Sequence, residues 1–246
     1  MGEREHGTSE TLVERLHDLR EVASDVRLQS YRRSDRGDIE TVVAYLWNVR
    51  LSEALYPILA IFEVTLRNAI HNALTERFGT DHWFDRDGVL LERELASIEQ
   101  AREALQRDDK PTDPNHIVAQ MNLGFWVALL QQPYEESLWR PNEGALLKAV
   151  FPYAPEERRS REQLWDICNR ARALRNRVAH YRPVFNQERL VEDHADTVDA
   201  IGWMSHAMHD LVVLTDRFDE VWENGESQAR GRLGELWRVP APAAED

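Results

Sequence analysis

The sequence contains a single cysteine, Cys168, among its 246 residues. An internal disulfide is therefore excluded, and so is a zinc site built from several cysteine ligands. Long apolar runs are also lacking, because runs such as 56–62 (YPILAIF) fall far short of the ~20 residues that cross a bilayer. Residues 1–9 are polar and do not resemble a signal peptide. These features predict a cytoplasmic protein without a membrane partner.

Positive charge is scarce, since the formal net charge is −14 at pH 7. This balance argues against indiscriminate binding to nucleic acid phosphates. The charge is nevertheless uneven, because residues 167–187 contain five arginines (170, 172, 175, 177 and 182) and no acid. We therefore expect a local basic patch that binds an anionic ligand.

Glycine and proline are sparse and cluster between segments with helical periodicity, and strong alternating strand patterns are absent. We predict an all-α, single-domain helical bundle over residues 10–223. It lies between a flexible N-terminus (1–9) and a C-terminal segment (224–246) with a short helix and a flexible tail. The predicted helices cover about 10–30, 38–49, 52–78, 89–107, 114–131, 142–151, 155–182 and 187–223, with a loop at 31–38.

The tripeptide Leu-Arg-Asn occurs twice, each time shortly before a histidine, in 66–73 (LRNAIHNA) and 174–183 (LRNRVAHYRP). Around the second copy, apolar residues recur at helical spacing and predict a packing stripe. His180 lies roughly 150° from the centre of this stripe, on the polar face that it shares with Asn176. His180 is thus a candidate general acid or base, or alternatively a solvent-facing residue at the end of a helix. The stripe comprises Leu164, Ile167, Ala171, Leu174, Val178 and Tyr181.

The first copy lies in a segment, 52–78, that is apolar over much of its helical circumference and is expected to be buried. Glu63, Arg67 and His71 are spaced by four residues and form a column along its flank. Two interpretations remain open. The column is either a Glu63–Arg67 ion pair with His71 below it, or a supporting group that orients the site at 175–180.

Three blocks of the sequence occur in an order typical of a known family: 45–74 (YLWNVRLSEALYPILAIFEVTLRNAIHNAL), 116–134 (HIVAQMNLGFWVALLQQPY) and 174–185 (LRNRVAHYRPVF). Together they resemble the Abi-like (abortive infection) proteins of the HEPN superfamily, over roughly residues 30–220. The resemblance implies a HEPN-like bundle that forms a homodimer. It also implies a metal-independent endoribonuclease with an RNA substrate, acting as a toxin or in antiviral defence, and subject to an antitoxin or another regulatory partner.

The superfamily's Arg-x(4–6)-His motif falls on Arg175 and His180, and its frequent polar residue after the arginine falls on Asn176. RNA cleavage requires removal of the 2′-hydroxyl proton, stabilisation of an anionic phosphorane and protonation of the leaving 5′-oxygen. His180 can transfer protons, Arg175 can bind the phosphate, and Asn176 can hold the imidazole or the phosphate. A single histidine cannot readily be base and acid at once. We therefore expect a composite site at the two-fold axis of a dimer.

The family's Glu-x3-Arg-Asn segment falls on Glu63, Arg67 and Asn68. These residues are predicted to support the site or bind RNA. The same is expected of four further side chains, His71, Arg172, Arg177 and Arg182.

A metal site is the weaker interpretation of His206, His209 and Asp210, because no further ligand lies near them in the sequence. No nucleotide-phosphate loop is present either, so we predict no metal and no cofactor. Two non-catalytic functions remain as alternatives to the ribonuclease. One is a helical module that binds RNA or a nucleotide without cutting it, and the other is a dimeric interaction protein.

Overall fold

The computed structural model describes residues 11–32 and 37–238, with only the backbone at 142 and 143. Within these ranges the chain is helical and contains no strand, which confirms the all-α prediction. None of the helices described there is long and apolar enough to cross a membrane. The predicted flexible N-terminus (1–9), residues 33–36 of the predicted loop and residues 239–246 of the predicted tail lie outside the described residues.

The described chain divides into two compact units that are each discontinuous in sequence. The first contains the described parts of Met1–Ala54 and Arg217–Asp246, together with Tyr181–Gln187. Its helices are α1 (Leu12–Ala23), α2 (Asp25–Gln29), the start of α3 (Asp38–Phe78) and α11 (Phe218–Trp237). Helix α11 runs through the domain boundary predicted at residue 223.

The second unit contains Leu55–His180 and Glu188–Asp216. The rest of α3 is joined there by seven helices: α4 (Glu92–Arg107), α5 (Pro114–Gln120), α6 (Leu123–Leu129), α7 (Pro141–Val150), α8 (Arg161–Ala179), α9 (Leu190–Met204) and α10 (His206–Thr215). Short 3-10 turns lie at Trp83–Asp85, Gln132–Tyr134 and Glu156–Arg158, and a π-helical turn lies at Glu135–Trp139. The core of this unit is rich in aromatic side chains, and Phe62, Trp83 and Trp126 are completely buried in it.

The predicted break between helices 38–49 and 52–78 is wrong, since α3 is continuous and contains Pro57. Proline removes one intrahelical hydrogen bond, but the neighbouring Leu55 and Ile58 are buried, and their packing holds the helix on both sides. The predicted end of the 52–78 helix is confirmed, and Gly79 follows it. This glycine has φ +67°, and the N–H of Thr80 donates to the carbonyl of Thr75 (3.2 Å), as in a glycine-terminated helix.

Four other predicted helices are shorter than expected because polar side chains cap new helices inside them. The predicted 10–30 helix divides at Ser24, whose side chain accepts from the N–H of Arg27 and caps α2. Asn122 accepts a hydrogen bond from the N–H of Phe125 and separates α5 from α6. The predicted start at 114 is confirmed, because Asp113 caps α5 immediately before Pro114. Ser160 caps α8, so this helix begins six residues after Pro155. Ser205 caps α10 in the same way and breaks the predicted 187–223 helix, whose last part belongs to α11. Such side chains offer the backbone an alternative to a continuous helix.

The first unit depends on a close approach between α3 and α11. The indole of Trp47 is buried and donates a hydrogen bond to the carbonyl of Val221 (3.0 Å). A β-carbon at Gly225 would lie 2.5 Å from Trp47 Cδ1, so only glycine fits there. Asn48 joins α3 to the segment 181–187 of the same unit, because its Oδ1 accepts the N–H of Val184 (2.6 Å).

We expect Gly225→Ala to destabilise the protein by about 1–3 kcal/mol, because the added methyl group displaces a buried, hydrogen-bonded indole. Gly231→Ala is the matched control in α11, since a β-carbon there meets nothing within 4 Å. The control should stabilise the helix by up to about 1 kcal/mol through its higher helix propensity. Urea unfolding of the two variants measures both effects. Equal changes in the two variants would contradict the proposed close approach.

Candidate active site

Helix α8 carries the second Leu-Arg-Asn copy and is anchored by its apolar stripe. Leu164, Ile167, Ala171 and Leu174 are buried, as predicted. The predicted stripe fails at its last member, because Tyr181 is 72% exposed. The chain leaves the helical path at this residue, which adopts a left-handed backbone conformation with φ +56°. That conformation costs a non-glycine residue roughly 1–2 kcal/mol and ends α8 immediately after the candidate histidine.

His180 is the C-terminal cap of α8, and its side chain is exposed. Its backbone N–H donates to the carbonyl of Asn176 (3.0 Å), so the backbone, and not the imidazole, completes the last turn. The ring is therefore accessible to a ligand. Asn176 lies one turn earlier and is half-buried.

Arg175 is held in place by Glu63, which connects three helices of the second unit. Arg175 Nε donates to Glu63 Oε2 (3.1 Å), and the N–H of Leu123, the first residue of α6, donates to Glu63 Oε1 (3.0 Å). The carboxylate is mostly buried, and the side chain of Arg175 is 38% exposed. Glu63 thus fixes the arginine stem at Nε, while both Nη groups make no hydrogen bond to the described residues.

The column predicted along the first copy is divided by the structure. Among the described residues Glu63 forms an ion pair with Arg175 and not with Arg67. Arg67 instead donates from Nε to the side chain of the exposed Asn68 (3.4 Å). His71 is buried, and its Nδ1 accepts the indole N–H of Trp83 (3.0 Å). Its position suits a structural role in the core better than contact with RNA.

Burial lowers the pKa of His71, with a smaller opposing effect from Asp81. The unfolded chain therefore takes up a proton at higher pH than the folded chain, so stability is complete above about pH 6.5 and is lost as the pH falls through the lowered value. We expect His71→Asn, which keeps an acceptor for Trp83, to weaken this acid sensitivity. Unfolding curves at pH 7.5 and 5.5 measure it. An unchanged pH dependence would assign the acid sensitivity to other groups.

The predicted basic patch is partly neutralised by acids from outside residues 167–187. Arg170 forms ion pairs with Asp166, one turn earlier on α8, and with Asp193 and Asp196 on α9. Its Nε lies 2.8 Å from Asp193 Oδ1. Arg170 therefore joins α8 to α9.

The remaining arginines of the stretch differ from one another. Arg172 is half-buried and donates from Nε and Nη2 to Oδ1 of the neutral Asn169 (3.2 and 2.8 Å). Arg177 is half-buried on α8. Arg182 is exposed and belongs to the first unit. Arg172 lines a cavity of the second unit.

No family model, curated protein or solved structure matches this chain. The resemblance to Abi-like proteins consequently remains a prediction from the three sequence blocks. The structure adds a contact between two of the predicted site residues. It brings Glu63 from α3 to Arg175 on α8, five residues before an exposed histidine at the end of the same helix.

In the described part of the chain, no group of three or more His, Cys, Asp or Glu side chains could hold a metal ion. The two histidines that suggested one have other contacts. His206 stacks on Tyr153, with ring centroids 3.8 Å apart, and the ring of His209 packs against Gly202.

Sequence reasoning missed the N–H of Leu123 as the second partner of Glu63, and it missed a polar cavity beside Arg172. Asn122 and Leu123 were predicted only as part of a continuous helix over 114–131. Asparagine followed three residues later by a buried aromatic is a possible helix-start signal, and it would have placed the free N–H groups of α6 at this point.

Proposed function

We propose that the protein is a HEPN-type endoribonuclease that cleaves RNA without a metal ion, with His180 as general acid and base and Arg175 as the phosphate-binding group. The observation that carries the proposal is the Glu63–Arg175 pair on α8, five residues before the exposed His180 at the end of the same helix. An arginine held at Nε presents its Nη groups in a fixed direction, which suits bidentate contact with a phosphate.

The reaction is a transphosphorylation. A histidine takes the proton of the 2′-hydroxyl, and the 2′-oxygen attacks the phosphorus. The bond to the 5′-oxygen then breaks, and this oxygen receives a proton. The products are a 2′,3′-cyclic phosphate and a 5′-hydroxyl. The charge that develops on the phosphorane is stabilised by Arg175, and Asn176 orients the imidazole or the phosphate.

Two proton transfers on opposite sides of the phosphorus are better served by two imidazoles. A homodimer with the two ends of α8 facing each other provides two histidines and two arginines. The exposure of His180 at the very end of its helix is compatible with this arrangement. The sequence resemblance supports the dimer, the role in antiviral abortive infection or as a toxin, and control by an antitoxin or another regulatory partner.

The test is incubation of the purified protein with total RNA in EDTA, with chemical identification of the fragment ends and measurement of the oligomeric state. We expect fragments with 2′,3′-cyclic phosphate and 5′-hydroxyl ends, produced by a dimer. Intact RNA in the presence of a well-folded dimer would overturn the proposal in favour of a non-cleaving RNA- or nucleotide-binding module or a dimeric interaction protein. Full activity in an obligate monomer would refute the composite site.

A further inference from the structure

A polar cavity of about 510 Å³ lies in the second unit, lined by residues of α4, α5, α6 and α8. Its volume is within the range of about 300–1,000 Å³ that is usual for ligand sites. The wall contains both polar and apolar residues, and its polar side chains include Arg93, Gln100, Gln120, Gln131 and Arg172.

The charges around the cavity favour an anion. Arg172 bonds only to the neutral Asn169, and no carboxylate among the described residues lies within ion-pair distance of it. Arg93 Nε donates to Glu94 (2.6 Å), whose second oxygen accepts the hydroxyl of Tyr134 (2.6 Å). The wall thus holds two guanidinium groups against one carboxylate, and that carboxylate is already occupied. Arg172 is left with its charge uncompensated beside the cavity.

The neutral part of the wall suits a planar group with both donors and acceptors. Gln100 and Gln120 each offer an N–H donor and a carbonyl acceptor. The carbonyl of Gln131 accepts from Arg93 Nη2 (3.4 Å), so Gln131 offers its N–H donors. Phe125 and Met121 add an apolar surface. Proteins recognise unpaired RNA bases by hydrogen bonds to the base edges and by contact with aromatic and arginine planes. The cavity therefore combines groups for a phosphate with groups for a base.

The cavity and the candidate active site share helix α8. Arg172 and Asn176 are one turn apart on the same face of α8. Arg172 precedes His180 by eight residues, which is about 12 Å along a helix. A few nucleotides of an extended strand span such a distance.

We propose that this cavity binds an unpaired nucleotide of the RNA substrate a few positions from the scissile phosphate, with Arg172 on a phosphate and the glutamines on the base. The inference rests on the proposed ribonuclease function. It makes the protein selective for single-stranded RNA longer than a dinucleotide.

The experiment compares two cavity variants with two matched controls. Ala104→Trp fills the cavity from a partly exposed position of α4, and Glu103→Trp adds the same bulk at the exposed neighbouring position outside the wall. Arg172→Gln removes the cationic group, and Arg107→Gln removes an exposed charge of α4 outside the wall.

Two readouts are measured for each protein. The first is the affinity for random hexanucleotides that are fully 2′-O-methylated and therefore uncleavable, followed by fluorescence anisotropy. The second is kcat/KM for a dinucleotide and for a hexanucleotide of ordinary RNA. We expect both cavity variants to bind the hexanucleotide about tenfold more weakly, as for loss of one base contact. In the wild type we expect kcat/KM to be higher for the hexanucleotide than for the dinucleotide. The cavity variants should lose this difference because their KM for the hexanucleotide rises. Both controls should behave as the wild type does.

The outcomes separate the two proposals. Cleavage that favours hexanucleotides equally in wild type and cavity variants would overturn the nucleotide site and leave the ribonuclease standing. Binding of the methylated RNA that depends on the cavity, without cleavage of ordinary RNA by wild type, would support the nucleotide site and overturn the ribonuclease. Wild-type affinity in both cavity variants would overturn the nucleotide site whether or not RNA is cleaved.

Discussion

Replacing His180 with alanine is expected to abolish RNA cleavage, with a loss of at least about 10²–10⁴-fold in kcat, because a positioned general acid or base contributes that much. The composite site sharpens this expectation, since one substitution removes both histidines of a dimer. The measurement is single-turnover cleavage of a defined RNA in EDTA. Cleavage that survives the substitution would place the chemistry elsewhere or indicate a contaminating nuclease.

The structure makes His180→Ala a clean test. The imidazole is exposed, and the last turn of α8 is completed by the backbone N–H of the residue, which alanine retains. The free energy of unfolding should therefore change by no more than about 0.5 kcal/mol. His17→Ala is the control, because His17 is an exposed histidine of α1 that pairs with Glu21 of the same helix (3.6 Å). It should cleave RNA as the wild type does.

Periodicity predicted the main outlines of the fold, because burial of an apolar stripe is a local property of the sequence. The buried side of α8 followed directly from the spacing of Leu164, Ile167, Ala171 and Leu174. The helix ends were less predictable. Pro57 does not interrupt α3, because packing on both sides outweighs one lost hydrogen bond, whereas Asn122 interrupts a predicted helix by capping the next one with its side chain.

The ion pairs of the arginines in residues 167–187 were the feature that the sequence predicted least well. Residues 167–187 contain no acid, yet Asp193 and Asp196 return to Arg170 on the next helix, and Glu63 reaches Arg175 from more than 100 positions earlier. Ion pairs between helices depend on how the helices pack, and a single sequence does not contain that information. The same limitation explains why the flank of 52–78 was described as one column. Tertiary packing directs Glu63 to α8 and His71 into the core.

Replacing Arg175 with alanine is expected to reduce kcat by about 10²–10³-fold, as for removal of a preorganised donor to a developing oxyanion. Single-turnover cleavage in EDTA measures the loss. Arg217→Ala is the matched control, since Arg217 also forms an ion pair with a glutamate, Glu53, on the surface of the first unit. It should leave cleavage unchanged. Equal losses in the two variants would show that the effect of Arg175→Ala does not come from phosphate binding.

Glu63 tests whether the arginine must be positioned as well as present. Glu63→Gln keeps an acceptor for the N–H of Leu123 but removes the charge that holds Arg175 Nε. If Glu63 acts through Arg175, the substitution should lower kcat by about tenfold in the wild type and have no further effect in the Arg175→Ala background. Independent, multiplicative losses would instead mean that Glu63 contributes by stabilising the start of α6. The double-mutant cycle therefore separates an arginine aimed at a phosphate from an ion pair that only joins two helices.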